Sequence, residues 1–246
     1  MPTLPTIVVP ARIASSRFPR KLLADAEGMP LILRTAQRLD SEAPEFEKFF
    51  AVDGDELGNV LLGAGYKVII TNPDLPSGTD RIAQANEQLN RAEVINVQAD
   101  EPLVKREHIL ALAQSLQAPD TDLATLAVPF AKLEDFLDSN QVKVVFDERG
   151  FALYFSRSPI PFCRDGEAEH YFLETESYKP FKHMGLYAYT APFLAAFAQS
   201  KQGVLEKFEC LEQLRAIEQG FKISVSVVSS GSIGVDHPDD LKRIEF

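Results

Sequence analysis

The sequence predicts an α/β fold in which a mainly parallel sheet is flanked by helices. In the first half, short apolar runs alternate with amphipathic stretches. The runs are rich in β-branched and aromatic residues with little polar alternation, which is typical of strands covered on both faces. A length of 246 residues with 45% hydrophobic residues is enough for one full core. We therefore expect a single domain over residues 1–246.

The first half contains four predicted strands, each followed by a predicted helix. The apolar runs cover residues 6–9, 49–52, 67–70 and 94–97. The amphipathic stretches cover residues 31–39, 56–64, 80–89 and 106–116. Parallel strands joined by helices bind their ligands beyond the carboxyl ends of the strands. We therefore look for functional residues in the loops that follow strands.

The pattern changes at about residue 122. Residues 123–128, 142–146 and 151–155 resemble strands, and the last two runs leave no room for a helix between them. The turn signal at residues 147–150 predicts a hairpin. We interpret residues 122–190, approximately, as an inserted β-rich dimerisation region, in which residues 158–180 leave the main sheet. A loop that packs on its own domain is the alternative for that excursion.

The last part returns to alternating elements. We predict a strand over residues 183–189, a helix over 192–199, a helix over 205–218 and a strand over 221–227. The second of these helices has apolar residues at every third position, and Gly220 is placed to end it. A final helix is predicted to begin at residues 237–240, where acidic side chains lie near its positive end.

Composition excludes several functions. A net charge of −11 and a pI near 4.9, without a basic face, argue against nucleic acid as a partner. The chain shows neither a signal peptide nor an apolar run of membrane-spanning length, so we expect a cytoplasmic location and no membrane partner. Cys163 and Cys210 are isolated and are interpreted as packing residues. The histidines show no zinc-binding spacing.

The loop after the first strand, residues 10–21, is the strongest functional signal. It brings together the cationic residues Arg12, Arg17, Arg20 and Lys21. Small residues between them, such as Ser15 and Ser16, allow backbone N–H groups to approach a phosphate. An acidic protein repels polyphosphate on average and needs such a local positive pocket to bind one. A solvated basic turn is the alternative.

Carboxylates after the fourth strand suggest a hard cation. Asp100 and Glu101 end that strand. Mg²⁺ binds through one or two carboxylates and takes other ligands from phosphate and water. Asp100 is the first candidate ligand and Glu101 the alternative, while helix capping would also explain either residue. Asp236, just before a predicted helix, is by spacing alone more typical of an N-cap than of a metal ligand.

The loop after the third strand contains Ser77, Gly78, Thr79 and Arg81. Gly78 permits a tight turn, and the hydroxyls add donors before a helix, so this loop suits a base or a sugar acid. An ordinary helix cap with a solvated Arg81 is the alternative. The loops after the first, third and fourth strands together outline a nucleotide and metal site. Neither a dinucleotide fingerprint nor a Walker loop is present.

The sequence resembles the 3-deoxy-manno-octulosonate (Kdo) cytidylyltransferases, or CMP-Kdo synthetases, over nearly its whole length. The ordered matches are the loop at residues 10–21 and residues 77–81, 96–102, 124–129, 142–145, 152–157, 183–189, 211–215 and 234–236. The resemblance implies a nucleotide-diphospho-sugar transferase-like fold and a homodimer. It also implies transfer of CMP from CTP to the anomeric hydroxyl of Kdo, with release of pyrophosphate, in lipopolysaccharide biosynthesis. An 8-amino-Kdo or another ulosonic acid is the alternative acceptor.

The resemblance also implies roles for individual residues. The catalytic residues would be Lys21, Arg12 and Arg17. Those that bind CTP would be Ser16, Ser77, Gly78 and Gln98. Those that line the sugar-acid site would be Arg81, Arg157, His183, Tyr187, Glu212 and Gln213. The ligands of a Mg²⁺ cofactor would be Asp100 and Asp236.

This chain departs from the family pattern at three places. Arg20 and Ala99 stand where members usually have glycine, before the loop lysine and before the motif aspartate. Val52 and Asp53 stand where members usually have a Thr-Asp pair. Arg20 adds a phosphate contact or restricts the loop, and the Ala99 methyl group lies where the backbone is expected to pass close to the nucleotide.

Overall fold

A computed structural model describes residues 4–15, 18–164, 168, 172, 179–232, 234–242 and 244. Its strands are β1 (Thr6–Ala11), β2 (Lys48–Val52), β3 (Val68–Ile70), β4 (Glu93–Asn96), β5 (Leu123–Pro129), β6 (Lys143–Phe146), β7 (Ala152–Ser156), β8 (Phe181–Thr190) and β9 (Ile223–Val227). Its helices are α1 (Leu31–Glu42), α2 (Asp55–Gly63), α3 (Gly78–Leu89), α4 (Arg106–Ser115), α5 (Leu133–Leu137), α6 (Ala191–Gln199), α7 (Val204–Glu209), α8 (Gln213–Glu218) and α9 (Pro238–Leu241). A short 3₁₀ turn covers Lys21–Leu23.

The strands form one sheet in the order β3-β2-β1-β4-β8-β5-β9, with β6 and β7 attached beside β8. The first four strands pair in parallel, and β5 pairs in parallel with β9. Strand β8 runs antiparallel to both β4 and β5, so β5 points the same way as β4. This confirms the predicted mainly parallel sheet flanked by helices. The carboxyl ends of β1, β2, β3 and β4 consequently lie at one edge.

Strand β1 shows why the apolar runs predicted this sheet. All six of its residues are buried. Ile7 and Val9 pack in the hydrophobic cluster on one face, and Val8 packs in the cluster on the other. Each such side chain contributes about 1.5–3 kcal/mol when fully buried. A strand covered on both faces therefore needs a continuous apolar run rather than an alternating one.

The predicted hairpin is present between β6 and β7, which pair antiparallel. The Gly150 N–H donates to the Asp147 carbonyl at 2.9 Å, and the φ of Gly150 is +83°, a value that glycine adopts without strain. Strand β6 also pairs with β8, so the hairpin extends the main sheet. Most of the predicted excursion over residues 158–180 lies outside the described residues, and its role in a dimer stays a prediction.

The single helix predicted over residues 205–218 is wrong. The structure has two helices there, α7 and α8, which are interrupted at Cys210. Cys210 adopts a left-handed conformation with φ 52°, and this ends α7. Buried Arg215 then pairs with buried Glu206 at 2.6 Å and joins the two helices. The apolar repeat continues across the break because Leu211 and Leu214 both pack in the core.

Among the helices that the structure describes, none is both long and apolar enough to cross a bilayer.

Candidate active site

A cavity of about 320 Å³ lies at the carboxyl edge of the sheet. The loops that follow β1, β3 and β4 line it, together with one residue near the start of α8 and one before α9. Its lining includes the following predicted site residues: Arg12, Lys21, Ser77, Gly78, Arg81, Gln98, Asp100, Glu212 and Asp236. The fold thus brings cations, hydroxyls and carboxylates from distant segments into one space.

Lys21 joins the two proposed metal ligands. Its Nζ contacts the Asp100 carboxylate and lies 3.6 Å from Oδ1 of Asp236. The Lys21 side chain is only 11% exposed, whereas that of Asp236 is 49% exposed. The Val235 N–H donates to the Asp100 carbonyl at 2.9 Å, which holds the two acidic loops together.

This donor set suits a hard cation. Two carboxylates already converge on one positive group, and oxygen ligands are those that Mg²⁺ prefers. Among the described residues, no group of three or more His, Cys, Asp or Glu side chains forms a complete metal site. A metal bound here would therefore complete its coordination with substrate phosphate and water, as Mg²⁺ usually does.

Glu101 is not among the residues that line the cavity. Its carboxylate accepts a hydrogen bond from the Ser232 hydroxyl and lies against Gly234, where an added Cβ would come within 3.0 Å of Oε1. Burial raises the pKa of Glu101 to about 7. The contacts of Glu101 therefore hold the loop that carries Asp236.

The loop after β1, which is predicted to bind phosphate, is held by Asp53, a residue for which the sequence alone suggests no role. The Ile13 N–H donates to Oδ2 of Asp53 at 2.9 Å, directly after exposed Arg12. Asp53 follows the end of β2, and such a carboxylate at the binding edge of the sheet was the signal available in the sequence. Ala14 and Ser15 line the cavity, whereas the proposed phosphate residues Ser16 and Arg17 lie outside the described residues.

The loop after β3 caps a helix and also lines the cavity, while Arg81 is buried rather than solvated. Ser77 caps α3, since its hydroxyl accepts from the Asp80 N–H at 3.1 Å, and it also lines the cavity. The Thr79 hydroxyl donates to the carboxylate of Glu212, and burial raises the pKa of that carboxylate. Arg81 is buried and donates to the Thr71 hydroxyl and to the Asn72 carbonyl at 3.3 Å. Arg81 and Glu212 thus both line the cavity, each held by neighbouring polar groups.

A family model described as cytidylyltransferase matches residues 6–223. The chain belongs to the cytidylyltransferase family.

Relatives over the full length carry two related names. A 3-deoxy-manno-octulosonate cytidylyltransferase from Syntrophotalea carbinolica is 41% identical over 98% of this chain and 96% of its own length. An 8-amino-3,8-dideoxy-manno-octulosonate cytidylyltransferase from a Shewanella species is also 41% identical, over 97% of this chain and 96% of its own length. A solved structure of CMP:2-keto-3-deoxy-manno-octonic acid synthetase complexed with CTP superposes with a TM-score of 0.88. It is 34% identical and covers 98% of this chain and 96% of its own.

Two of the proposed sugar-binding residues of this cytidylyltransferase are not among those that line the cavity. Arg157 donates from Nε to the Glu209 carbonyl at 2.7 Å and from Nη1 to the Ser139 carbonyl at 3.1 Å. His183 is buried, with Nε2 3.0 Å from the Thr125 hydroxyl, and burial lowers its pKa to about 3. Their assignment to the sugar site stays a prediction.

Two more, Tyr187 and Gln213, lie beside the cavity around an adjoining space of about 10 Å³ that Glu212 also lines. Gln213 is 6% exposed, and its Nε2 has no hydrogen-bond partner among the described residues. An unpaired buried donor is costly in folding, by roughly 1–3 kcal/mol. The amide is therefore suited to binding a ligand oxygen or a water molecule.

Proposed function

We propose that this cytidylyltransferase transfers CMP from CTP to the anomeric hydroxyl of a Kdo-type sugar acid and releases pyrophosphate. The observation that carries the proposal is the convergence of Lys21 with Asp100 and Asp236 in a cavity that Arg12 and Arg81 also line. The names of the relatives and the CTP complex of the similar structure support the nucleotide and the acceptor class.

In the reaction, the anomeric oxygen forms a bond to the α-phosphorus and the bond from the α-phosphorus to the bridging oxygen breaks. Pyrophosphate leaves with the electron pair of that bond, and the hydroxyl proton passes to solvent water. Positioning and charge neutralisation provide most of the catalysis in such transfers. Lys21, Arg12 and Arg17 would offset the charge that develops on the pyrophosphate. Asp100 and Asp236 would hold Mg²⁺, which when bound neutralises phosphate oxygens. Ser16, Ser77, Gly78 and Gln98 would hold the nucleotide.

The part of the cavity that Glu212 lines would bind the acceptor, and Arg81, which also lines the cavity, would bind its carboxylate. A buried guanidinium recognises a carboxylate, which every sugar acid of this class carries. Glu212 accepts from Thr79 and would accept from acceptor hydroxyls as well. An 8-amino-Kdo acceptor is the second candidate, because relatives of both names are equally similar to this chain.

The protein is further proposed to be a homodimer that associates through residues 122–190, approximately. Large apolar side chains in that region are exposed, and they include Leu137 (51%), Leu153 (60%) and Phe162 (86%). Contact with a second copy would remove these three side chains from water, which favours association. A cytoplasmic location stays a prediction.

An acceptor panel tests the function. The protein is incubated with CTP, Mg²⁺ and either Kdo, 8-amino-Kdo or a different ulosonic acid, and pyrophosphate is measured. We expect release with Kdo or its 8-amino analogue and none after a chelator is added. Absence of pyrophosphate with every acceptor, despite binding of CTP, would instead identify a nucleotide-binding protein without this activity.

The metal is tested without relying on turnover. Calorimetry of Mg²⁺ binding in the presence of CTP is compared for the parent and for Asp100→Asn, and we expect at least tenfold weaker binding in the variant. The matched control is Asp120→Asn, at a 69% exposed side chain that pairs with Lys222 at 3.1 Å. Equal Mg²⁺ affinity in parent and Asp100→Asn would remove Asp100 from the metal site.

A further inference from the structure

The hydroxyl of Tyr189 lies at the centre of a buried hydrogen-bond chain. Tyr189 belongs to β8 and is 2% exposed. Its hydroxyl oxygen lies 3.1 Å from Nδ2 of Asn96 and 3.2 Å from Oγ1 of Thr79. Asn96 ends β4 and Thr79 lies in the first turn of α3, so this hydroxyl joins two elements that support different parts of the cavity.

This series of hydrogen bonds reaches a cavity-lining residue at each of its two ends. Nε2 of Gln98 donates to Oδ1 of Asn96 at 3.4 Å, and Gln98 lines the end that the proposed function assigns to CTP. The Thr79 hydroxyl donates to the carboxylate of Glu212, which lines the end assigned to the sugar acid.

The direction of every bond follows from its partners. The amide nitrogen of Asn96 only donates, so the Tyr189 oxygen accepts from it. The single hydrogen of Thr79 points to Glu212, so Tyr189 donates its own hydrogen to Thr79. All donors therefore point from Gln98 towards the carboxylate of Glu212. Bonds aligned in this way polarise one another, so that a change at one end is felt at the other.

The ring of Tyr189 is fixed independently of its hydroxyl. It stacks on Tyr187 with a centroid distance of 5.9 Å and on Phe193 with one of 5.7 Å. Burial also raises the pKa of the hydroxyl above its ordinary value, so the group remains a donor at working pH. A phenylalanine at this position would keep the stack and remove only the hydrogen bonds.

We propose that Tyr189 is a positioning residue that couples the binding of CTP at Gln98 to the binding of the sugar acid at Glu212. This inference rests on the proposed function, because that function assigns a substrate to each end. Binding energy shared between two sites is reciprocal, so each substrate tightens the binding of the other by the same factor. We expect a factor of about 5–20 in the parent, at the lower end of common couplings.

The test is a matrix of initial rates in which both CTP and the sugar acid are varied. Where substrate binding is at equilibrium during turnover, the coupling factor is the dissociation constant of CTP without acceptor, measured by calorimetry, divided by the KM for CTP at saturating acceptor. In Tyr189→Phe the factor is expected to fall to about 1, while the dissociation constant of CTP without acceptor stays within twofold of the parent. Thr79→Val removes the hydroxyl between Tyr189 and Glu212 and is expected to reduce the coupling factor equally. The double variant is expected to reduce the factor no further than either single variant.

The matched control is Tyr66→Phe, which removes a tyrosine hydroxyl that bonds to Asp40 at 3.0 Å on an exposed part of the protein. It is expected to keep the coupling factor of the parent. A parent factor of 1, or an unchanged factor in both Tyr189→Phe and Thr79→Val, would overturn the inference while the proposed function stands. Absence of turnover by the parent with every acceptor would overturn the proposed function instead. If Tyr189→Phe does not fold, the coupling factor of Thr79→Val alone decides whether the inference stands.

Discussion

The ammonium group of Lys21 contacts the carboxylate of Asp100, a residue 79 positions farther along the chain. The contact joins the loop after β1 to the loop after β4. Oδ1 of Asp236 also lies 3.6 Å from Nζ of Lys21. An ammonium between two carboxylates offsets their mutual repulsion and holds the two acidic loops together. In the proposed function, the same positive charge would also face the triphosphate of CTP. Lys21 therefore holds the acidic loops together and is the residue whose replacement tests the proposed phosphate role.

Replacement of this lysine is the first prediction. Lys21→Ala is expected to lower turnover by about 100-fold or more, because loss of one contact to developing charge costs about 3 kcal/mol. Steady-state pyrophosphate release measures the effect. Lys67→Ala is the control, since Lys67 is 61% exposed and pairs with Glu47 at 2.6 Å. Near-parental turnover in Lys21→Ala would exclude this lysine from the mechanism.

The second prediction separates the acceptor end of the cavity from the nucleotide end. Glu212→Gln keeps the size of the side chain but removes the charge that accepts from Thr79. We expect the KM for the sugar acid to rise about 10-fold or more, because hydrogen bonds to charged groups contribute about 1.5–3 kcal/mol. The KM for CTP at low acceptor concentration is expected to stay close to that of the parent.

Kinetics with each substrate varied in turn provide the measurement for Glu212→Gln. Glu87→Gln, on the exposed side of α3, is the control and is expected to change neither constant. A rise in the KM for CTP alone would assign Glu212 to the nucleotide instead.

The first four strands were predictable from the sequence for a physical reason. A parallel strand buried on both faces needs a nearly continuous apolar run, as Ile7, Val8 and Val9 provide in β1, and such runs are easily recognised. The loops after those strands then had to meet at one edge. Lys21, Asp100 and Arg81 therefore lie in one cavity although they are far apart in the chain.

Other features depend on conformations and contacts that no local pattern indicates. Cys210 ends α7 in a left-handed conformation that glycine usually adopts. Because a cysteine is not a helix-ending signal and the apolar repeat continues past it, the sequence does not predict the break. Tyr189 looks like an ordinary core residue of a strand, and only the pairing of β8 with β4 places it beside Asn96. Asp53 differs from the family pattern only through the Val52 that precedes it. Its hydrogen bond with the Ile13 N–H becomes visible only when the fold brings the two loops together.

The third prediction concerns Arg20, which has a left-handed backbone with φ 56°, a conformation that favours glycine. This conformation costs a side-chain-bearing residue roughly 1–2 kcal/mol. Arg20 pairs with Glu56, but their side chains are 62% and 49% exposed, so the pair contributes about 1 kcal/mol or less. Arg20→Gly is therefore expected to raise the free energy of unfolding by about 1 kcal/mol at high salt, where the pair is screened.

Urea denaturation at low and high salt measures this difference. The gain from Arg20→Gly is expected to be smaller at low salt, where the parent retains the ion pair with Glu56. Glu56→Gln is the matched control, because it removes the pair and leaves the backbone of Arg20 unchanged. A variant Arg20→Gly less stable than the parent at high salt would show that the left-handed conformation carries no cost here.

The fourth prediction is a loss of stability in acid that originates at His183. Burial lowers the pKa of His183 from 6.5 to about 3, so between these values the unfolded chain binds a proton that the folded protein does not. Stability from this group is therefore complete above pH 6.5 and is lost as the pH falls towards 3. At pH 5 the loss of stability relative to pH 7 is about 2 kcal/mol for a histidine of ordinary unfolded pKa.

Urea denaturation midpoints at pH 5 and pH 7 measure this loss. In His183→Gln, the part of the pH dependence of stability that comes from His183 is expected to disappear. His108, whose pKa burial also lowers, retains its own share in both proteins, so the comparison isolates His183. An equal loss of stability in parent and His183→Gln would show that His183 accepts its proton in the folded state without cost.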